Sequence, residues 1–286
     1  MFWQDLREEE FEDAITRSKG VCILPIGCLE KHGQHMAVGT DYYIAVSIAR
    51  RVAELEEAVI FPTGPWLGDM TGSHGAAHPE LVKKRGNVAI KSQTLIRVLE
   101  ELCDEIAKNG FTKIVIFNVH GGNIPMVGTL LREIQRKEKP YTVYDPYCLL
   151  ADDYMHQPEP FTKMITENRE EYSMITDTDI AVMKSWIPTG YQGGHANFLE
   201  AVQLMGDYPQ LVAPDRYYAE NGINTHRTDY LAELGINMQG SYTACYPNSY
   251  SGAAPHGASQ TIGQAMLYTH AKIAARQLKR IKEQEI

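Results

Sequence analysis

Long apolar runs are missing from this 286-residue chain. No stretch approaches the roughly 18 consecutive apolar residues that a membrane span needs, so no membrane partner is expected. No secretory leader is expected either, because Met1-Phe2-Trp3-Gln4-Asp5-Leu6 turns acidic at once and no apolar segment follows. Basic excess is also absent: 27 Lys and Arg stand against 36 Asp and Glu, a formal charge of −9. That balance argues against nucleic acid as a partner, since neutralising phosphates takes surplus cations. The one basic cluster, Lys272 to Lys282, reads as a solvated helix face. The five cysteines (Cys22, Cys28, Cys103, Cys148, Cys245) are odd in number, scattered, and form no Cys-x-x-Cys pair. Neither a disulfide framework nor a thiolate zinc site is suggested, and a reducing cytoplasm fits best. No Gly-x-x-x-x-Gly-Lys or Gly-x-Gly-x-x-Gly follows a strand, which disfavours a phosphate- or nucleotide-binding module.

What is present is an ordinary globular composition, 44% hydrophobic and 22% charged, in which short apolar runs alternate with amphipathic stretches. Residues 21–26, 58–62, 113–119 and 141–144 read as strands. Residues 8–18, 42–53, 88–109, 124–138, 196–205 and 258–282 read as helices, the third closed by Asn109-Gly110 as a C-cap. This alternation implies an α/β fold with a mainly parallel sheet covered on both faces. Residues 151–172 read as a loop with short helical turns, and 206–256 as irregular structure around a site. The loop 63–87 is too long and too rich in Gly and His to be mere connection. No repeat or linker interrupts the chain, so residues 1–286 are expected to form one domain.

Three motifs carry possible chemistry. The first, Gly27-Cys28-Leu29-Glu30-Lys31-His32, closes on Asp41 and follows the first strand. Thr40 or Asp41 is a plausible N-cap for the next helix. In open parallel sheets ligands bind beyond the carboxyl ends of strands. Two carboxylates and an imidazole there are the ingredients of a Zn, Mn or Fe site, with solvated loop residues as the plainer alternative. Cys28 reads as a buried small hydrophobe rather than a reactive thiol. The second motif, Asn118-Val119-His120-Gly121-Gly122-Asn123, places an imidazole and close-approaching backbone at another strand end. The third, Gly193-Gly194-His195-Ala196-Asn197-Phe198-Leu199-Glu200, puts His195 in a helix's first turn, with Glu200 projecting elsewhere. His35 lies near the first motif without a role, His156, His226 and His270 read as surface residues, and His256 is placed near the site or a subunit contact.

Together and in this order, the three motifs resemble the creatininase family of creatinine amidohydrolases over roughly residues 20–205. The resemblance implies a three-layer α/β/α fold, a pair of divalent ions per chain (Zn, Mn or Fe), and assembly as a homo-oligomer, commonly a hexamer. It implies metal ligands at Glu30, His32, Asp41 and His120, with Asp41 bridging, Glu200 completing the second ion, and His195 as the catalytic histidine. Creatininase itself has a glutamate where this chain has Gly122. Ser73, His78, Gly121, Gly122, Asn123 and Tyr191 are the candidate substrate contacts. The region of Lys84-Arg85-Gly86-Asn87 and the run Tyr191-Gln192-Gly193-Gly194 both depart from the family pattern, which points away from creatinine itself.

The expected activity is hydrolysis of a C–N bond in a small amide, a cyclic one foremost, or formamide by metal-activated water. His195 would carry the proton, since imidazole ordinarily titrates near neutrality. Opening of a cyclic ketone of inositol catabolism and a non-catalytic metal-binding scaffold are the alternatives.

Overall fold

Val21–Ile26 forms β1, buried along its whole length. It has the unbroken apolar character of a strand covered on both faces. In the computed structural model, which describes residues 1–69, 85–146, 158–189, 194–236, 241–254 and 256–284, β1 pairs in parallel with β2 (Val59–Ile60) and with β3 (Lys113–Asn118). Beyond β3 lies β4 (Thr142–Tyr144), also parallel, giving the order β2-β1-β3-β4. The second strand is shorter than the apolar run 58–62 suggested. Its last bond to β1 is Phe61 N–H to the Ile23 carbonyl, after which the Thr63 N–H turns back to the Phe61 carbonyl.

Successive residues of a strand face opposite ways, and the core divides accordingly. Val21 and Ile23 of β1 and Val115 and Phe117 of β3 enter one apolar cluster. There they meet α2 (Thr40–Leu55), α7 (Phe198–Asp207) and α10 (Gln260–Lys282). Cys22, Leu24, Ile26, Ile114 and Ile116 enter the other, against α1 (Phe11–Ser18), α3 (Ser92–Lys108) and α4 (Ile124–Gln135). The result is three layers, α/β/α. A third cluster joins α7 and α10 to α5 (Pro158–Glu167) and α6 (Asp177–Trp186).

Four expectations need correction. Thr40 and Asp41 do not cap α2; Gly39 does, and both residues lie inside the first turn. Helix α3 starts at Ser92 rather than 88, because Val88 is extended and donates its N–H to the Leu29 carbonyl. The third motif's helix starts at Phe198, so His195 precedes it. His270 is buried rather than surface-exposed, since α10 is covered by neighbouring helices along much of its length. Helix α6 was not anticipated, although Thr176 and Asp179 form a reciprocal capping box there. Two short helices, α8 (Asp229–Glu233) and α9 (Ser241–Cys245), lie within the stretch read as irregular.

The sheet runs outward in both directions from β1 and β3, which lie side by side with Ile26 opposite Asn118. Their carboxyl ends mark the topological switch point of a doubly wound sheet. The first motif leaves from β1 and the second from β3 at that place.

One cap links the outer helices. Ser259 accepts the N–H of Ile262 at the start of α10 (3.2 Å) and donates to Asp179 Oδ1 in α6 (2.6 Å). Ser259→Ala is expected to lower unfolding free energy by about 1–2 kcal/mol, read as a shifted denaturant midpoint with an unchanged slope. An unshifted midpoint would remove the cap from the account.

Candidate metal centre

The site is built where backbone approaches backbone. A Cβ on Gly27 would lie 2.4 Å from the Tyr42 nitrogen and 2.7 Å from the Asp41 carbonyl carbon. Only glycine lets the first turn of α2 sit against the end of β1, and this brings Asp41 over the strand ends. The loop is then pinned by Glu30 N–H to Val38 O (2.9 Å), Ala37 N–H to Leu211 O (3.1 Å) and Ala213 N–H to His35 O (2.8 Å). On the β3 side, Asn118 Oδ1 accepts from the His120 N–H (3.1 Å), and its amide donates to the His120 carbonyl (3.0 Å).

Six side chains predicted to be functional converge here. His120 Nδ1 lies 3.0 Å from Glu30 Oε1 and 3.1 Å from Asp41 Oδ2. His32 Nε2 lies 3.0 Å from Asp41 Oδ1 and 3.6 Å from Glu200 Oε2. Asp41 therefore turns one oxygen to each of two donor groups, one with Glu30 and His120, the other with His32 and Glu200. His195 Nδ1 stands 3.6 Å from Glu30 Oε1, with its ring 4.2 Å from that of His32. His195 and Glu200 thus face the same space although the helical spacing set them apart. The departure arises at Ala196, whose φ of 57° breaks the helix, while the Asn197 side chain caps α7 through the Leu199 N–H. The Glu200 carboxylate accepts the Ala196 N–H.

The outward nitrogens fix the imidazoles. His32 Nδ1 faces the Glu30 carbonyl (3.1 Å) and His120 Nε2 the Asp69 carbonyl (2.8 Å). A carbonyl only accepts, so each outward nitrogen carries the proton and the inward one offers its lone pair to the carboxylates. Lone pair against carboxylate at 3.0 Å is repulsive unless a proton or a cation stands between. Protons take that place in the metal-free protein. Burial alone would lower His32, but the charge and hydrogen bond of Asp41, with Glu200 and Glu30, push it up to about 10. His120 is raised in the same way, against burial, by Glu30 and Asp41. Glu30 is brought down to about 2, the charges of His195 and His120 outweighing its burial, and Asp41 also falls well below the usual carboxylate range. Glu200 is raised, because burial outweighs the imidazole charges facing it. Two buried carboxylates, the partly buried Glu200 and two inward lone pairs suit divalent cations.

Several supporting residues carried no sequence signal. Cys28 is buried, as expected, but its thiol donates to Asp41 Oδ2 (3.1 Å). His35 donates to the Ala196 carbonyl (2.8 Å), and Asp69 contributes only backbone to His120. Asn123 is fully buried, its amide donating to Gly27 O (3.2 Å) and Asn118 Oδ1 (3.1 Å), and its Oδ1 accepting the Asp69 N–H (2.8 Å). It ties the loops together and is not presented to a ligand. Gly121 faces open space, whereas a Cβ on Gly122 would lie 2.4 Å from His120 Nε2. His256 stacks on Tyr218 at the surface, and His226 is exposed. Ser73, His78, Tyr191 and His156 lie outside the described residues.

The family model described as creatinine amidohydrolase matches residues 4–278. The chain belongs to the creatininase family. It shares 25% identity over 225 residues with the creatinine amidohydrolase of Pseudomonas putida, covering 76% of this chain and 75% of that one. The mycofactocin precursor peptide peptidase of Mycobacterium tuberculosis (strain CDC 1551 / Oshkosh) is 32% identical over 114 residues, 39% of this chain and 43% of that relative. A solved creatininase superposes with a TM-score of 0.70 at 20% identity, over 99% of this chain and 98% of that one. A variant creatininase of Zn–Zn type (TM-score 0.70, 20% identity, 99% and 98% covered) and a creatininase described as the Mn form (0.66, 19%, 99% of both) have the same fold. The creatininase fold thus matches the three layers described above, and membership of the family makes the protein an amidohydrolase. No helix among the described residues is long and apolar enough to cross a membrane.

The imidazole protons have a thermodynamic signature. In chelator-treated protein, His32 is raised from 6.5 to about 10. Its contribution to stability is complete below pH 6.5 and is lost as pH rises through 10. The denaturant midpoint of this creatininase-family protein, freed of metal, is expected to fall across that window, and His32→Ala to flatten the fall. A flat wild-type profile would contradict the assignment.

Proposed function

We propose that the protein is a dinuclear metal-dependent hydrolase that cleaves a C–N bond in a small amide, lactam or formamide. The observation that carries this reading is Asp41, whose Oδ2 joins Glu30 and His120 while its Oδ1 joins His32 and Glu200. Each group would hold one ion, with Asp41 as the bridge. Bound there, a cation pair supplies polarisation of the scissile carbonyl and water acidic enough to attack at neutral pH. The Zn–Zn and Mn forms of solved creatininases support Zn or Mn as occupants, and Fe suits the same donors.

The chain's own residues supply the rest. His195 Nε2–H donates to the Lys31 carbonyl (2.9 Å), which leaves Nδ1 facing the donor cluster. We assign Nδ1 the task of taking a proton from the attacking water and delivering it to the leaving nitrogen. A second contact steadies the backbone: the His195 main-chain N–H donates to Ser251 Oγ (2.7 Å), beside the Tyr242 hydroxyl (3.3 Å). The open face at Gly121 leaves backbone available to a small substrate. The departures at Lys84 to Asn87 and at Tyr191 to Gly194 favour a substrate other than creatinine.

Elemental analysis of protein purified without chelator is expected to give about two ions per chain, largely lost in Asp41→Ala. Purified enzyme is then screened on lactams, formamides, short peptides and cyclic ketones. On whichever substrate turns over, His195→Ala is expected to keep its metal and lose about 10²–10⁴ in kcat. Full activity in that variant would sink the proton-carrier role. Turnover confined to cyclic ketones would move the reaction to C–C hydrolysis. Protein that binds no ion after addition of Zn, Mn or Fe would be a scaffold.

A further inference from the structure

We infer that Cys28 is the fourth protein ligand of the ion held by Glu30, Asp41 and His120, and that the two metal positions differ in kind. This inference rests on the metal pair proposed above. Four donor atoms are gathered in one place. Cys28 Sγ, a Glu30 oxygen, an Asp41 oxygen and a His120 nitrogen all lie within 4.8 Å of one another, and all four residues are buried. Donors at zinc-ligand distances around one cation are spaced closer than that limit. The thiol points into the set, 3.1 Å from Asp41 Oδ2, and donates to that carboxylate. Cys28 is thus the fourth donor of a group that would otherwise offer three.

No side chain from the second motif can take the place. A Cβ on Gly122 would lie 2.4 Å from His120 Nε2 and 2.6 Å from the Asp69 carbonyl, so the backbone on that side leaves no room. In the metal-free protein the Cys28 proton is held tightly, because burial and the charges of Asp41 and Glu30 all oppose the thiolate. A cation beside the sulfur reverses that balance, and a coordinating thiol gives its proton up to solvent.

The consequence is a division of labour. Four donors, one of them a soft sulfur, suit Zn and close its coordination shell. Among the described residues His32, Asp41 and Glu200 offer three donors, of nitrogen and oxygen, which leaves room for water or substrate at the second position and suits Mn as readily. Cys28 is a positioning residue for the first ion and has no direct contact with substrate.

Cobalt(II) tests this. Chelated wild-type protein titrated with cobalt is expected to develop a near-ultraviolet sulfur-to-metal charge-transfer band together with visible d–d absorption. Cys28→Ser is expected to lose the near-ultraviolet band. Bound cobalt without that band in the wild type would overturn the ligand assignment while leaving the metal pair standing. A band that persists in Cys28→Ser would also overturn it, since the sulfur would be another one. No cobalt uptake at all would overturn both the assignment and the pair. Should Cys28→Ser fail to fold, zinc-edge X-ray absorption on the wild type reads the same point. A sulfur scatterer at about 2.3 Å supports the assignment, and a shell of nitrogen and oxygen alone refutes it.

Discussion

Asp41 has both carboxylate oxygens engaged, in different directions, in a place with almost no access to water. A short side chain cannot do this by reaching. Its backbone must already stand where the ends of β1 and β3 meet. That requirement accounts for the absent side chain at Gly27, for the close approach of α2 to the strand end, and for the loop between them being tied at Glu30, Ala37 and His35. The apolar cluster that binds α2 to α7 and α10 keeps the helix from drifting. The charge is tolerable only because other groups complete it: imidazole protons in one state, cations in the other.

Much of the frame was legible in the chain. Val21–Ile26 and residues 114–117 are apolar throughout, as strands buried on both faces are, and both strands emerged with nearly the expected bounds. Glu30, His32, Asp41, His120, His195 and Glu200 stood out because each lies beside a strand end or a glycine turn and because their motifs resemble a known family, and the fold brings the six together. The start of α7 was not legible. Helical periodicity runs through Ala196, and nothing in an alanine signals a left-handed φ; that conformation is held from outside by the His35 bond to its carbonyl and by Glu200. Cys28 was read by its hydrophobic character, which its burial matches, while the direction of its sulfur depends on a fold that brings α2 overhead. Asn123 looked like a ligand-binding amide for the opposite reason: its polarity is plain in sequence, whereas its partners, Gly27 and Asp69, are distant in the chain.

Strain and support meet at His195. The next residue adopts a backbone conformation that costs a non-glycine residue of order 1–3 kcal/mol when it is sparsely populated. His195 is nevertheless fixed twice, its main-chain N–H by Ser251 and its ring Nε2 by the Lys31 carbonyl. Lys31 is in turn paired with Glu220 through its ammonium group (2.6 Å). One residue of the first motif thus holds the third motif's histidine and the segment around Glu220 together.

The donor set is drawn from a loop after β1, a strand end more than halfway to Glu200, and the first turn of α7. These segments meet only when the central strands have paired and α7 has docked across α2. The order of events in folding follows. A loop closed over such distances costs entropy before any ligand can compensate, so an ion finds no assembled site in the early, partly collapsed chain. Metal therefore acts on the finished structure, lengthening the lifetime of the native state by slowing its unfolding, and leaves the rate of folding to the sheet.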